Sequence, residues 1–247
     1  ILCEDTRITK KLLNKYNLSK KRLISYNDYN APLRRKSVIE NLVHKTFHYA
    51  LVSDSGTPLV SDPGFKLVEK CIKNNVKVTH IPGPSSVISG LILSGLSTDK
   101  FLFSGFFDKS SVKKENQLLN LAHLDVTSIW FERGNRLLNT LNLVEKVLGN
   151  RQISVLRELT KIHEEMFFGT IHKIIQQITL KDKLRGEFII VISGFKQEKS
   201  DLLTLKKLIL KYIDTYNTKE LSAKLSDKTR LPKKFIYNEI LKLKNTK

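Results

Sequence analysis

The sequence predicts an α/β protein of two units followed by a small helical carboxy-terminal tail. Three observations carry this. Short apolar runs alternate with helix-length amphipathic segments through roughly the first 100 residues. Two strand patterns then stand side by side near residues 152–168 with no full helix between them. From Leu202 to Lys247 the pattern is wholly helical and dense in lysine. Repeated β-α units of this length predict a parallel sheet covered by helices, and the adjacent strand pair predicts a mixed second sheet.

Taken in order, Ile1–Cys3 ends a strand, and Thr6–Tyr16 is helical with Ile8, Leu12 and Leu13 as its apolar positions. Arg22–Tyr26 is a strand, Arg34–His44 a helix, and His48–Ser53 a strand. Phe65–Asn74 is a helix with Leu67, Val68 and Cys71 on one side, and Val76–Ile81 is a strand. After the Pro82-Gly83-Pro84 turn a helix runs over Ser85–Leu93, and Phe101–Phe107 closes the first unit. The polar segment 108–117 is a linker or a helix start. The second unit then holds strands at Ser128–Phe131, Gln152–Leu159, Glu165–Phe168 and Glu187–Ile192, with helices at Arg136–Leu148 and Ile171–Ile178. The division is therefore 1–107, 108–198 and a tail over 199–247. Two short amphipathic helices close the tail around a turn at Asp227–Leu231, with Pro232 suited to a helix start. A helix-turn-helix and a plain helical hairpin both fit that pattern.

The 247 residues carry 43 Lys+Arg against 24 Asp+Glu, a net charge of +19. Such an excess favours polyanionic partners, chiefly nucleic acid or an anionic membrane surface, and a lysine-rich solvated exterior fits the charge equally well. With only Cys3 and Cys71, the chain has no disulfide framework, which fits a reducing cytosol. The six histidines show no metal-ligand spacing, and no 18-residue apolar run or signal peptide is present. A cytoplasmic protein without a metal and without a membrane anchor is expected.

Ser53-Asp54-Ser55-Gly56-Thr57-Pro58-Leu59-Val60-Ser61-Asp62-Pro63-Gly64 follows the strand His48–Ser53 and holds Ser-Asp-x-Gly twice. No Lys-Ser/Thr pair follows the glycines, so the phosphate-cradling loop of nucleotide-binding proteins is not met, nor is a G-x-G-x-x-G. In parallel sheets ligands bind beyond the carboxyl ends of strands, where this loop, Glu4-Asp5 and Pro82-Gly83-Pro84 all fall. Asp54 offers a hydrogen-bond acceptor, Gly56 a close backbone approach and Thr57 a hydroxyl. Asp54 is weighted toward a ligand and Asp62 toward capping the next helix. Asp5 or Thr6 is an N-cap candidate, as is Ser85 or Ser86. Glu132 and Arg136, four apart, can form a local ion pair.

Five segments in order, CEDTRITKKLL (3–13), ALVSDSGTPLVSDPG (50–64), IPGPSSVISGLILSGL (81–96), LRELTKIHEE (156–165) and GEFIIVISG (186–194), resemble the tetrapyrrole-methylase-like superfamily of S-adenosylmethionine-dependent methyltransferases. They are most similar to the branch that methylates the ribose 2′-oxygen of a cytidine in the decoding region of small-subunit ribosomal RNA. The resemblance implies two α/β domains with the cofactor in the cleft between them, a homodimer, and ribosomal RNA or the assembled small subunit as partner. It also implies a first strand and a Pro/Gly-rich loop ahead of Ile1, a part that the sequence given does not include. Where relatives read FYESTHR, this chain has Trp130-Phe131-Glu132-Arg133-Gly134-Asn135-Arg136, so a Tyr hydroxyl and an imidazole are missing.

By that resemblance, Asp54, Gly56, Thr57, Pro84, Ser86, Val87, Phe131 and Leu159 lie against S-adenosylmethionine. Glu4, Arg7, Arg136 and Lys161 face the RNA, and Asp5 and Glu132 are the candidate catalytic carboxylates. A small-molecule methyltransferase of the tetrapyrrole branch and an inactive RNA-binding relative are the alternatives. The tail lysines, with Arg230, suit phosphate contacts that position RNA without reading its sequence.

Overall fold

The computed structural model describes residues 1–18, 20–181, 184–195, 199–229 and 233–245. Its first sheet is small. β1 (Leu2–Cys3) lies between β2 (Ile24–Ser25) and β3 (Leu51–Val52), and both pairings are parallel. Parallel neighbours need a crossover, supplied by α1 (Thr6–Lys15) and α2 (Ala31–Val43). α3 (Phe65–Lys73) follows, and Leu67 and Cys71 pack with Leu2, Tyr26, Val38 and Ile39 into one core. α2 begins three residues before the expected Arg34, because Pro32 is at home in a first turn.

Two expectations fail here. Residues 76–81 form no strand, and Val78 and Ile81 stay exposed. An apolar alternation becomes a strand only where a neighbouring backbone offers a ladder, and none of the described residues pairs with this segment. In α1 the buried residue is Thr9, whereas Ile8 and Leu12 are about half exposed.

The second sheet has the order β4-β5-β8-β6-β7, formed by β4 (Phe101–Phe106), β5 (Thr127–Arg133), β6 (Gln152–Arg157), β7 (Glu165–Thr170) and β8 (Glu187–Ile192). β4 and β5 are parallel, and the remaining pairings are antiparallel. The segment left open as linker or helix start becomes α5 (Ser111–Leu121). With α6 (Gly134–Leu148) and α7 (Ile171–Thr179) it covers one face, burying Trp130, Leu137, Leu141, Ile153, Val155, Ile174, Phe188 and Ile190. The opposite face receives α4 (Ser86–Leu93), with Val87 and Leu91 against Ile129, Leu156, Ile189 and Val191. The period of two along β5 and β8 decides which residue faces which layer. At Gly90 a Cβ would stand 2.9 Å from Ile189 Cγ2, so the missing side chain lets α4 lie close on β8. Both α4 and β4 precede residue 107, yet both pack into this second layer.

The tail forms α8 (Lys199–Tyr212), α9 (Thr218–Thr229) and α10 (Lys233–Asn245) around Leu205, Ile209, Leu221, Leu225, Ile236 and Ile240. α9 is helical through Asp227 to Thr229, where a turn was expected. Arg230, Leu231 and Pro232 lie outside the described residues. No helix among the described residues is long and apolar enough to cross a membrane.

Candidate active site

The site is built where the carboxyl ends of β1 and β3 meet the α4-covered layer of the second sheet. β1 ends at Cys3, and the chain turns into α1 through Glu4 and Asp5. Asp5 caps α1 by accepting from the Arg7 amide at 2.8 Å, and its own amide donates to Asp54 Oδ1 at 3.2 Å. Capping and a place at the site are therefore the same arrangement. Thr57 Oγ1 donates to the Pro84 carbonyl at 2.8 Å, tying the 53–64 loop to the turn before α4. Ser85, not Ser86, caps that helix, accepting from the Ile88 amide at 3.5 Å.

The 53–64 loop is strained as well as glycine-rich. Gly56 (φ 73°), Leu59 (71°), Ser61 (64°) and Gly64 (139°) all adopt positive φ. A bulky residue such as Leu59 in that region is uncommon and persists only where its surroundings over-determine it, as they do at functional sites. Around Gly56 a Cβ would meet nothing within 4 Å, so its backbone faces open space rather than a packed wall. Glu158 (φ 47°) and Thr160 (65°), just past the end of β6, repeat the pattern.

Six carboxylates share this region. Glu4 is pushed above the usual carboxylate range by burial first, then by Asp62, Asp54, Asp28 and Asp5. Burial likewise raises Asp62, with Asp54 and Glu187 adding to it, while a hydrogen bond with Ser53 acts against the rise. Asp62 does not cap α3, as expected of it: the cap position is Gly64 and no side chain bonds there. Its carboxyl belongs to the acidic group instead. Asp5 is the opposite case. The Arg7 guanidinium, 2.6 Å away, holds it down at about 2. A carboxylate that acidic is a weak proton acceptor, so Glu4 is the better base of the two.

These shifts fix the sign of a pH effect. On Glu4 and Asp62 the folded chain takes up protons more readily than the unfolded chain, so their contribution to stability falls as pH rises through their folded values. Asp5 and Glu158 are depressed, so their contribution is present above the ordinary carboxylate range and is lost as pH falls below it. Glu4→Gln is expected to raise the melting temperature at pH 7, with the gain shrinking toward pH ~4. A gain independent of pH over that interval contradicts the rise that burial and the acidic neighbours impose on Glu4.

Val87, Phe131 and Leu159 join one apolar cluster with Ile129, Leu156 and Ile189. Phe131 makes edge contacts with Phe103 and Phe106 at 4.9 and 5.3 Å between ring centres. Beyond them Lys161 Nζ lies 3.2 Å from Glu158 and 3.3 Å from Glu187. The positive φ at Glu158 ends the strand alternation before Leu159, so residues 158–161 turn as a loop. Among the described residues no group of His, Cys, Asp or Glu is arranged to hold a metal ion.

Glu132 does not join this site. The alternation of β5 sends it to the same face as Trp130, away from Phe131. It is wholly buried there, and Arg136 Nη2 reaches its Oε1 at 2.5 Å. The expected ion pair forms, and the expected cleft-facing base does not. The sequence also gave no sign of Asp62 in the cluster or of Lys114 beneath Glu132. Only the packing of distant segments brings those together.

On the other side of Asp5 a cavity of about 530 Å³ is lined by Thr6, Arg7, Lys10, Leu13, Lys21 and Leu23. It is cationic, where the neighbouring strand ends are anionic.

Residues 1–175 match the family of tetrapyrrole (corrin/porphyrin) methylases. The "Ribosomal RNA small subunit methyltransferase I" of Rickettsia prowazekii is 44% identical over 209 residues, covering 85% of this chain and 74% of that protein. The protein of the same name from Thermotoga maritima is 39% identical over 202 residues, covering 78% of this chain and 86% of that one. Among solved structures, a diphthine synthase superposes with a TM-score of 0.58 at 13% identity, covering 84% of each chain, a likeness of fold alone.

Proposed function

The chain belongs to the tetrapyrrole (corrin/porphyrin) methylase family, and on that premise we propose that it methylates a ribose 2′-oxygen of a cytidine in the decoding region of small-subunit ribosomal RNA. It is an S-adenosylmethionine-dependent methyltransferase whose acceptor is ribosomal RNA, as the names of relatives at 44% and 39% identity support. The observation that carries the reading is a juxtaposition at the start of the chain. Glu4, Asp5 and Asp54 form an acidic strand end, and Arg7, Lys10 and Lys21 form a cationic cavity directly beside it.

When bound, S-adenosylmethionine supplies an electrophilic methyl group on a sulfonium cation. The residues present fit such a group. Carboxylates of Glu4, Asp54 and Asp62 set a negative potential suited to a sulfonium and an ammonium, and Val87, Phe131 and Leu159 give an apolar wall. Thr57 and Pro84, joined by their hydrogen bond, hold the two loops at one spacing. Glu4 takes the 2′-hydroxyl proton, and Asp5 keeps Arg7 and Asp54 in place. Holding nucleophile and methyl carbon in line can supply ~7–11 kcal/mol, so positioning does most of the work.

Phosphates of the RNA bind at Arg7, Lys10 and Lys21, and Lys161 and the lysines of the tail extend the contact. A first unit that ends before α4, a second unit that takes in α4 and β4, a basic helical tail, a homodimer and a cytoplasmic setting complete the reading. Nucleoside mass spectrometry of small subunits lacking the modification, incubated with the protein and labelled cofactor, tests it. Appearance of 2′-O-methylcytidine is the expected result, and cofactor binding without any RNA methylation overturns the acceptor. In the same assay Lys10→Glu/Lys21→Glu is expected to raise KM for the RNA at least ~10-fold, with kcat little changed and a shallower salt dependence.

A further inference from the structure

Beneath β5, on the face away from the cleft's apolar wall, lies an ionic network that the reaction above does not use. Glu132 accepts from the Arg133 amide at 2.8 Å, from Thr140 Oγ1 at 2.7 Å and from Arg136 Nη2 at 2.5 Å. Lys114 Nζ donates to Thr140 Oγ1 at 2.6 Å and stands 3.5 Å from Glu132 Oε2. Two cations thus share one carboxylate, leaving an excess of one positive charge in the group. Arg136 spends only Nη2 on Glu132. Its Nε and Nη1 are buried and meet no hydrogen-bond acceptor. A buried guanidinium N–H without an acceptor, beside an uncompensated charge, is expensive to maintain. One oxyanion answers both deficits.

We propose that Arg136 is a preset oxyanion receptor, aimed by Glu132 and by Lys114 and Thr140 acting through it. The planar fork of arginine suits the paired oxygens of a phosphodiester or a carboxylate. Arg136 sits in the first turn of α6, directly past the carboxyl end of β5. At that edge Arg133 is in register with Glu187, so the receptor lies at the same end of the sheet as Glu187 and Lys161. The inference takes its ligand from the proposed reaction, which offers two such oxyanions: a phosphodiester of the RNA and the amino-acid carboxylate of the cofactor. Lys114 and Thr140 are positioning residues and touch neither.

Arg136→Gln, Arg136→Lys and Thr140→Val are to be compared with the parent in three measurements: calorimetric affinity for S-adenosylhomocysteine, binding of acceptor RNA against salt, and thermal melting. Arg136→Gln is expected to weaken one of the two ligands at least tenfold and leave the other within twofold. Arg136→Lys restores part of the loss, and Thr140→Val weakens the same ligand severalfold. Loss in the RNA arm, with a salt slope shallower by about one, identifies a phosphodiester. Loss in the S-adenosylhomocysteine arm identifies the carboxylate. Should Arg136→Gln fail to fold, the other two variants keep charge and volume and carry the comparison. Both ligands within twofold of the parent in every folded variant overturns the receptor. A parent that binds both ligands without methylating RNA removes the reaction and leaves the receptor in place. An active parent with unresponsive variants does the reverse.

Discussion

Glu132→Ala is expected to lower stability by about 3–5 kcal/mol, because it leaves Lys114 and Arg136 as buried charges with no counter-ion. For a chain of this size that is a fall of roughly 6–20 °C in melting temperature. The loss comes from stranding charges, not from forfeiting a favourable pair, so a second variant separates the two accounts. Lys114→Met/Glu132→Leu/Arg136→Met removes the network as a whole and is expected to melt well above Glu132→Ala, close to the parent. A single variant within about 2 °C of the parent contradicts the buried network. A triple variant lower than the single one shows instead that the ion pairs were net stabilising.

Asp54→Ala is expected to weaken S-adenosylhomocysteine by ~10–150-fold, the range for a hydrogen bond to a charged group. Two effects add in the same direction. The substitution removes a carboxylate from the group that includes Glu4 and Asp62, and it leaves the Asp5 amide without its 3.2 Å acceptor. Asp54→Asn keeps an acceptor for that amide while dropping the charge, so it is expected to fall between. Calorimetric titration of the three proteins checks the order. Equal affinities across them remove Asp54 from the cofactor side. Equal loss in Asn and Ala variants assigns the effect to charge alone.

Much of the fold was legible because it rests on local pattern. The helices at Phe65–Lys73, Gly134–Leu148 and Ile171–Thr179, and the strands at Gln152–Arg157 and Glu187–Ile192, follow runs whose periodicity and length leave little choice. The strand expected at 76–81 shows the limit of that reasoning. Val76, Val78 and Ile81 have the composition of a strand, but a strand is a relation between two backbones. The order β4-β5-β8-β6-β7 was likewise not readable, because pairing between segments far apart in the chain, as in Ser128 of β5 with Ile192 of β8, leaves no local trace.

The candidate site divides the same way. The five motif segments pointed to Asp5, Asp54, Thr57, Pro84, Val87 and Leu159, and the fold joins these into two neighbouring groups. Charge state was a different matter. Asp5 and Glu4 are adjacent carboxylates, yet one is depressed to about 2 by Arg7 and the other is raised by burial and by four acidic neighbours. Sequence determined which residue types this protein has at its strand ends, since local propensity and motif order depend on the chain alone. Only tertiary structure decided which carboxylate can accept a proton and which face of β5 holds Glu132, because desolvation and Coulombic neighbours come from segments that meet only on folding.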